Sequence, residues 1–86
     1  PSRSALTILV ADDHAIVREG LKRLLESGSR AWKVVEAASG FEALERLRRE
    51  RFDLATFDLS MPGMSGLDLL ARVREMHPGM PVMILS

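Results

Sequence analysis

The chain has no cysteine, which excludes disulfide staples, thiolate metal sites and cysteine nucleophiles and leaves a reducing cytoplasm as the compartment to expect. It has no run approaching about 18 apolar residues, the length that a membrane-spanning helix needs, and no signal-peptide pattern opens it. Neither membrane insertion nor export is therefore expected. Net charge is missing as well: twelve basic side chains balance twelve acidic ones, which argues against a nucleic-acid footprint. The one basic cluster, Arg46, Arg48, Arg49 and Arg51, is interleaved with Glu42, Glu45 and Glu50 and fits the solvated face of a helix with local ion pairs. Repeats, low-complexity tracts and interdomain linkers are absent too. What remains is 86 residues, 47% of them hydrophobic, enough for one small domain. A chain this short buries only about 60–65% of the surface its unfolded form exposes, so a partner, ligand or further segment is expected to add stability.

The apolar residues fall into four short runs separated by helical patterns. Leu6 to Ala11 is continuous and aliphatic, as in a strand buried on both faces. His14 to Ser27 carries Val17, Leu21, Leu24 and Leu25 at helical spacing, with Gly28 as a stop. Trp32 to Ala38 reads as a second strand, with Trp32 partly buried at its edge. Ser39 and Glu42 form an S-x-x-E capping box ahead of a helix whose predicted buried stripe is Phe41, Leu44 and Leu47. Asp53 to Asp58 is the third strand. The loop Ser60-Met61-Pro62-Gly63-Met64-Ser65-Gly66 follows, and Ser65 with Asp68 can cap a helix from Leu67 to about Met76. Pro81 to Leu85 is the fourth strand, and the methionines follow no cofactor pattern, which makes most of them gap fillers in loops and core. Strands alternating with helices imply βαβ units, right-handed crossovers and helices on both faces of a parallel sheet: an α/β, doubly wound fold.

In such sheets ligands bind beyond the carboxyl ends of the strands. Asp12 and Asp13 follow the first strand directly, Asp58 ends the third, and Ser86 follows the fourth, so four chemically active side chains are expected on one rim. Three carboxylates held together repel one another unless a hard, oxygen-preferring cation sits among them. The pattern therefore suggests Mg²⁺ and phosphoryl-transfer chemistry, in which the cation offsets the charge gathering on phosphoryl oxygens. Taken singly, Asp13 also suits the N-cap of the first helix, Asp58 suits a turn ahead of Ser60 and Pro62, and Asp12 has no capping reading of its own.

The strings Leu9-Val10-Ala11-Asp12-Asp13-His14, Val17-Arg18-Glu19-Gly20-Leu21 and Phe57-Asp58-Leu59-Ser60-Met61-Pro62-Gly63-Met64-Ser65-Gly66 together resemble the receiver domain of two-component response regulators. The first two resemble most its NarL/FixJ-type branch, whose output is of the LuxR type. The resemblance implies a flavodoxin-like receiver fold over residues 5–86, with strand order 2-1-3-4. It also implies that the chain is incomplete, lacking the last helix, strand and helix of the family and with them its fifth-strand lysine. By the same resemblance Asp58 matches the phosphoacceptor. Asp12, Asp13 and the backbone carbonyl of Ser60 match ligands that join Asp58 around Mg²⁺, and Ser86 matches the hydroxyl that senses the phosphoryl group. The implied partner is a sensor histidine kinase, which supplies the phosphorylated histidine; His14 reads as a helix-start residue that this branch often carries. DNA is expected only through an output domain beyond this chain, with transcription regulation as the parent protein's role.

Two other functions fit the same residues. An Mg²⁺-dependent aspartyl-phosphate phosphohydrolase would use Asp58 or Asp12 as nucleophile, but such enzymes usually carry an acid two residues after it, where this chain has Ser60 or His14. The chain is accordingly expected not to be an enzyme. The other is an inert receiver-like fragment that only dimerises. Without a fifth strand, the fourth would be an apolar edge with unpaired backbone groups, and a homo-oligomer joined there is expected.

Overall fold

The computed structural model describes residues 6–28 and 32–85. Its centre is β1 (Thr7–Ala11), whose residues Ile8 to Ala11 are almost inaccessible to solvent, as the unbroken aliphatic run requires. β1 pairs with β2 (Lys33–Ala37) on one side and with β3 (Leu54–Asp58) on the other, all parallel. β4 (Val82–Leu85) pairs in parallel with β3. The order is β2-β1-β3-β4, so among the described residues β2 and β4 are the edges.

Three helices connect the strands: α1 (Ala15–Glu26), α2 (Gly40–Arg49) and α3 (Gly66–Met76). The twofold alternation of β1 sorts the core into two parts. Leu9 and Ala11 pack with Leu44, Leu47, Phe57, Leu69 and Val73 beneath α2 and α3. Ile8, Val10 and Val34 form a smaller cluster against Leu21, Leu25 and Trp32.

The N-terminal caps follow the sequence. Ser39 Oγ accepts from Glu42 N–H at 3.1 Å, while the Glu42 carboxylate reaches back to Ala38 N–H. Ser65 Oγ accepts from Asp68 N–H at 3.1 Å. The basic cluster lies on the solvated face of α2 and just beyond it, with Arg48 and Arg49 both paired to Glu45.

Two packing expectations are corrected. Phe41 is 59% exposed, and Gly40 and Ala43 occupy the inner face of α2 beside Leu44 and Leu47. The reason is proximity: a Cβ at Gly40 would lie 2.9 Å from the Met64 side chain, so the helix approaches the loop too closely for a large residue there. On α1, Val17 and Leu24 face solvent and only Leu21 and Leu25 reach the sheet, because a single helix covers only part of that face. Met61, Met64 and Met80 fill the core, as expected of most of the methionines, and Met76 and Met83 are exposed.

Candidate functional site

β1 ends at Ala11 and Asp12 continues its ladder for one more bond, from Asp12 N–H to Ala37 C=O at 3.0 Å. The chain then turns sharply into α1. Asp12 has a structural role that its position in the sequence conceals: its Oδ1 accepts the His14 N–H at 2.8 Å, closing a turn of the Asx type. His14, not Asp13, occupies the N-cap position, and it makes no side-chain capping bond. Asp13 is thereby freed from the helix terminus.

Asp58 closes β3 one strand away. Its Oδ1 accepts the Ser60 N–H at 3.3 Å, a bond that bends the chain out of the sheet and into the loop. Leu59 continues the backbone ladder to Leu85 C=O at 2.8 Å, and its own carbonyl receives Gly66 N–H at 3.0 Å. Both ends of the 60–65 loop are thus tied to the rim. Gly63 stands at φ 81°, a left-handed conformation that glycine adopts without strain.

The expected acids do converge. Carboxylate oxygens of Asp12, Asp13 and Asp58 and a ring nitrogen of His14 lie within 4.8 Å of one another. The Asp12 and Asp58 side chains are largely buried, that of Asp13 about a quarter exposed. His14, read from the sequence as a helix-start residue rather than a ligand, enters this group. Its Nδ1 lies 3.0 Å from Asp12 Oδ1, 3.1 Å from Asp13 Oδ1 and 3.9 Å from Asp58 Oδ2. The hydrogen bond to Asp12 and the charge of Asp13 raise the His14 pKa above its ordinary 6.5, with smaller contributions from the charges of Asp12 and Asp58. An imidazolium among three carboxylates does in part what a metal cation does, offsetting their repulsion.

The donor set suits a hard divalent cation: three carboxylates supply oxygen, and the one nitrogen belongs to a side chain that is two-thirds exposed. Ser60 stands at the same rim through its bond to Asp58. Ser86 lies outside the described residues, as does residue 5 at the other end of the expected domain. A side chain that sequence reasoning did not single out is Arg18. From α1 it donates to the Asp12 backbone carbonyl at 2.6 Å and to Glu36 Oε1 at 3.0 Å.

Comparison with known proteins agrees with this fold. The family model described as "Response regulator receiver domain" matches residues 8–86. The chain is 36% identical over 81 residues to the probable transcriptional regulatory protein TcrX of Mycobacterium tuberculosis, covering 94% of this chain and 34% of the relative. It is 34% identical over 86 residues to the nitrate/nitrite response regulator protein NarP of Escherichia coli, covering 100% of this chain and 40% of that protein. Among solved structures, a CheY-like response regulator receiver domain protein from Methanospirillum hungatei superposes with a TM-score of 0.89 at 33% identity, over 94% of this chain and 63% of that one. The chain thus spans between a third and two fifths of the length of these two curated relatives.

Proposed function

Because the chain belongs to the response regulator receiver domain family, we propose that it is a phosphorylation-operated signalling module that accepts a phosphoryl group on Asp58. The observation that carries this reading is the convergence of Asp12, Asp13 and Asp58 from the ends of two different strands, with Asp58 Oδ2 3.9 Å from the His14 ring while Oδ1 is held by the loop.

Asp58 is the nucleophile. One carboxylate oxygen attacks the phosphorus of a phosphohistidine on a sensor histidine kinase; the O–P bond forms, the P–N bond breaks, and the released imidazole takes up a proton. Mg²⁺, held by Asp12, Asp13, Asp58 and the Ser60 carbonyl, would neutralise charge on the phosphoryl oxygens. The chain's own residues set the scene for that step. The Ser60 N–H orients Asp58, the Asx turn at Asp12 holds Asp13 clear of α1, and His14 competes with any cation for the Asp12 and Asp13 oxygens. Ser86, next in the chain after β4, is the hydroxyl that would meet the phosphoryl group. In the parent protein the switch would act on a DNA-binding output of the NarL/FixJ type, a reading supported by relatives named as transcriptional regulators. A kinase-fed receiver of that kind works in the cytoplasm.

A second reading concerns assembly. Among the described residues β4 is an edge strand and Met83 on it is 52% exposed, which favours association of two copies along that edge.

Incubation with acetyl phosphate and MgCl₂ followed by intact-mass measurement tests the main reading. A stable adduct of one phosphoryl group, absent in Asp58→Asn, is expected. Consumption of acetyl phosphate without adduct would identify a phosphohydrolase instead. No reaction at all would leave an inert fragment.

A further inference from the structure

Beyond Asp12 the first strand has left the sheet, yet the acidic turn that follows is firmly held. Among the described residues the donor to the Asp12 carbonyl is Arg18 Nη1, at 2.6 Å. The same guanidinium gives its Nε–H to Glu36 Oε1 of β2 at 3.0 Å, and Lys22 Nζ stands 4.0 Å from the other Glu36 oxygen. The Arg18 side chain is 16% exposed and that of Glu36 34%, so water screens this arrangement less than it does a surface pair. Charge-assisted bonds of this length are among the stronger ones, and the planar guanidinium fork fixes their direction.

The carbonyl of Asp12 and the N–H of Asp13 belong to one rigid peptide plane. Fixing that oxygen fixes the plane, and the plane sets where the Asp13 Cα, and hence its carboxylate, can go. We propose that Arg18 is a positioning residue for the acidic cluster: anchored by Glu36, it clamps the Asp12 peptide and so aims Asp13 at the cation position. The inference rests on the cluster being a cation and phosphoryl site, and it adds a support drawn from α1 and β2.

Charge and position make opposite demands, which renders the role measurable. Arg18 is a cation bonded to the backbone of the acidic turn, so as a mere charge it weakens metal binding and its removal would tighten it. As a clamp it strengthens binding and its removal would weaken it. Glu36 already offsets the guanidinium charge, so the positional effect dominates. Loss of residues that support metal ligands typically weakens affinity by about 10- to 100-fold.

The test is titration of the full chain with MgCl₂ alone, followed through the backbone amide NMR shifts of Asp13 and Asp58, with melting temperature recorded alongside. Arg18→Gln combined with Glu36→Gln conserves net charge, and it is expected to weaken Mg²⁺ binding about tenfold. Arg18→Gln alone is expected to weaken it as well. Arg18→Lys keeps the charge and a single donor nitrogen but not the planar fork, and should fall between; it carries the test if the double variant does not fold. Wild-type affinity in the double variant or in Arg18→Lys, with only a lowered melting temperature, would reduce the clamp to scaffolding and overturn the proposal. Tighter binding in Arg18→Gln would overturn it in favour of a pure charge effect. A wild-type chain whose response to MgCl₂ equals that of Asp13→Asn would overturn the site reading itself, an outcome distinct from the others.

Discussion

Gly66 lies directly against the backbone of Asp58: a Cβ built on Gly66 would stand 2.5 Å from the Asp58 carbonyl oxygen and 3.1 Å from its carbonyl carbon. The start of α3 is therefore packed on the end of β3 with no room for a side chain. Backbone cannot swing aside as the tip of a side chain can, so a methyl group there must push α3 and the Asp58 rim apart. Gly66→Ala is expected to cost about 1–3 kcal/mol, the usual range for overpacking, and to slow phosphoryl uptake beyond what partial unfolding explains. Urea denaturation and acetyl phosphate labelling check the two parts. Gly20→Ala is the control. It lies within α1 with open space around it, so the substitution should stabilise by about 0.5–1 kcal/mol through helix propensity.

Asp58→Asn is expected to abolish labelling while the melting temperature stays close to that of the wild type. The amide matches the carboxylate in shape but is not a competent nucleophile, and its oxygen can still accept the Ser60 N–H that Asp58 Oδ1 accepts at 3.3 Å. Labelling that persists in this variant would move the phosphoacceptor elsewhere, with Asp12 and Asp13 the nearest alternatives.

The strands, the caps and the meeting of the three acids were legible because each rests on local chemistry: aliphatic runs, S-x-x-E or S-x-x-D spacing, and carboxylates at strand ends. Features that depend on how closely two elements approach were not. Phe41 looks like core by spacing, yet Gly40 takes the inner place because Met64 comes within van der Waals contact of the helix there. Arg18 and Glu36 stand 18 residues apart on α1 and β2, and nothing in either segment points to the other. His14 adjoins the acids in sequence, but its ring enters the cluster only because the Asx turn at Asp12 points it there.

The His14 ring gives the metal-free protein a pH dependence of known sign. Its folded-state pKa is raised, mainly by the hydrogen bond to Asp12 and then by the charge of Asp13. A group with a raised folded pKa adds stability that is fully present below its unfolded value of 6.5 and is lost as pH rises through the higher folded value. In EDTA-containing buffer, stability should therefore decline between about pH 6.5 and the folded-state pKa, by a small amount because the ring is largely exposed. NMR titration of the imidazole protons should place the His14 midpoint above 6.5, and His14→Ala should flatten that part of the stability profile. A midpoint at or below 6.5 would mean that the ring does not sit among the carboxylates in solution.

Association along β4 can be tested at the residue that faces outward. Val82 and Ile84, whose spacing on an apolar strand makes them attractive targets for charge, pack partly buried against the core beneath α3, so placing Lys at either would unfold the chain as readily as it would separate two copies. Met83 points to the other side and is 52% exposed. A charge there is tolerated by the monomer, but two copies paired edge to edge would bring like charges close together, which is destabilising for a sheet. Met83→Lys is therefore expected to shift the molecular mass measured by light scattering from dimer toward monomer, with a melting temperature within a few degrees of wild type when both are measured at a concentration that keeps the wild type monomeric. A wild-type chain that stays monomeric at high concentration would rule out the edge association, and a dimer indifferent to Met83→Lys would place its interface away from β4.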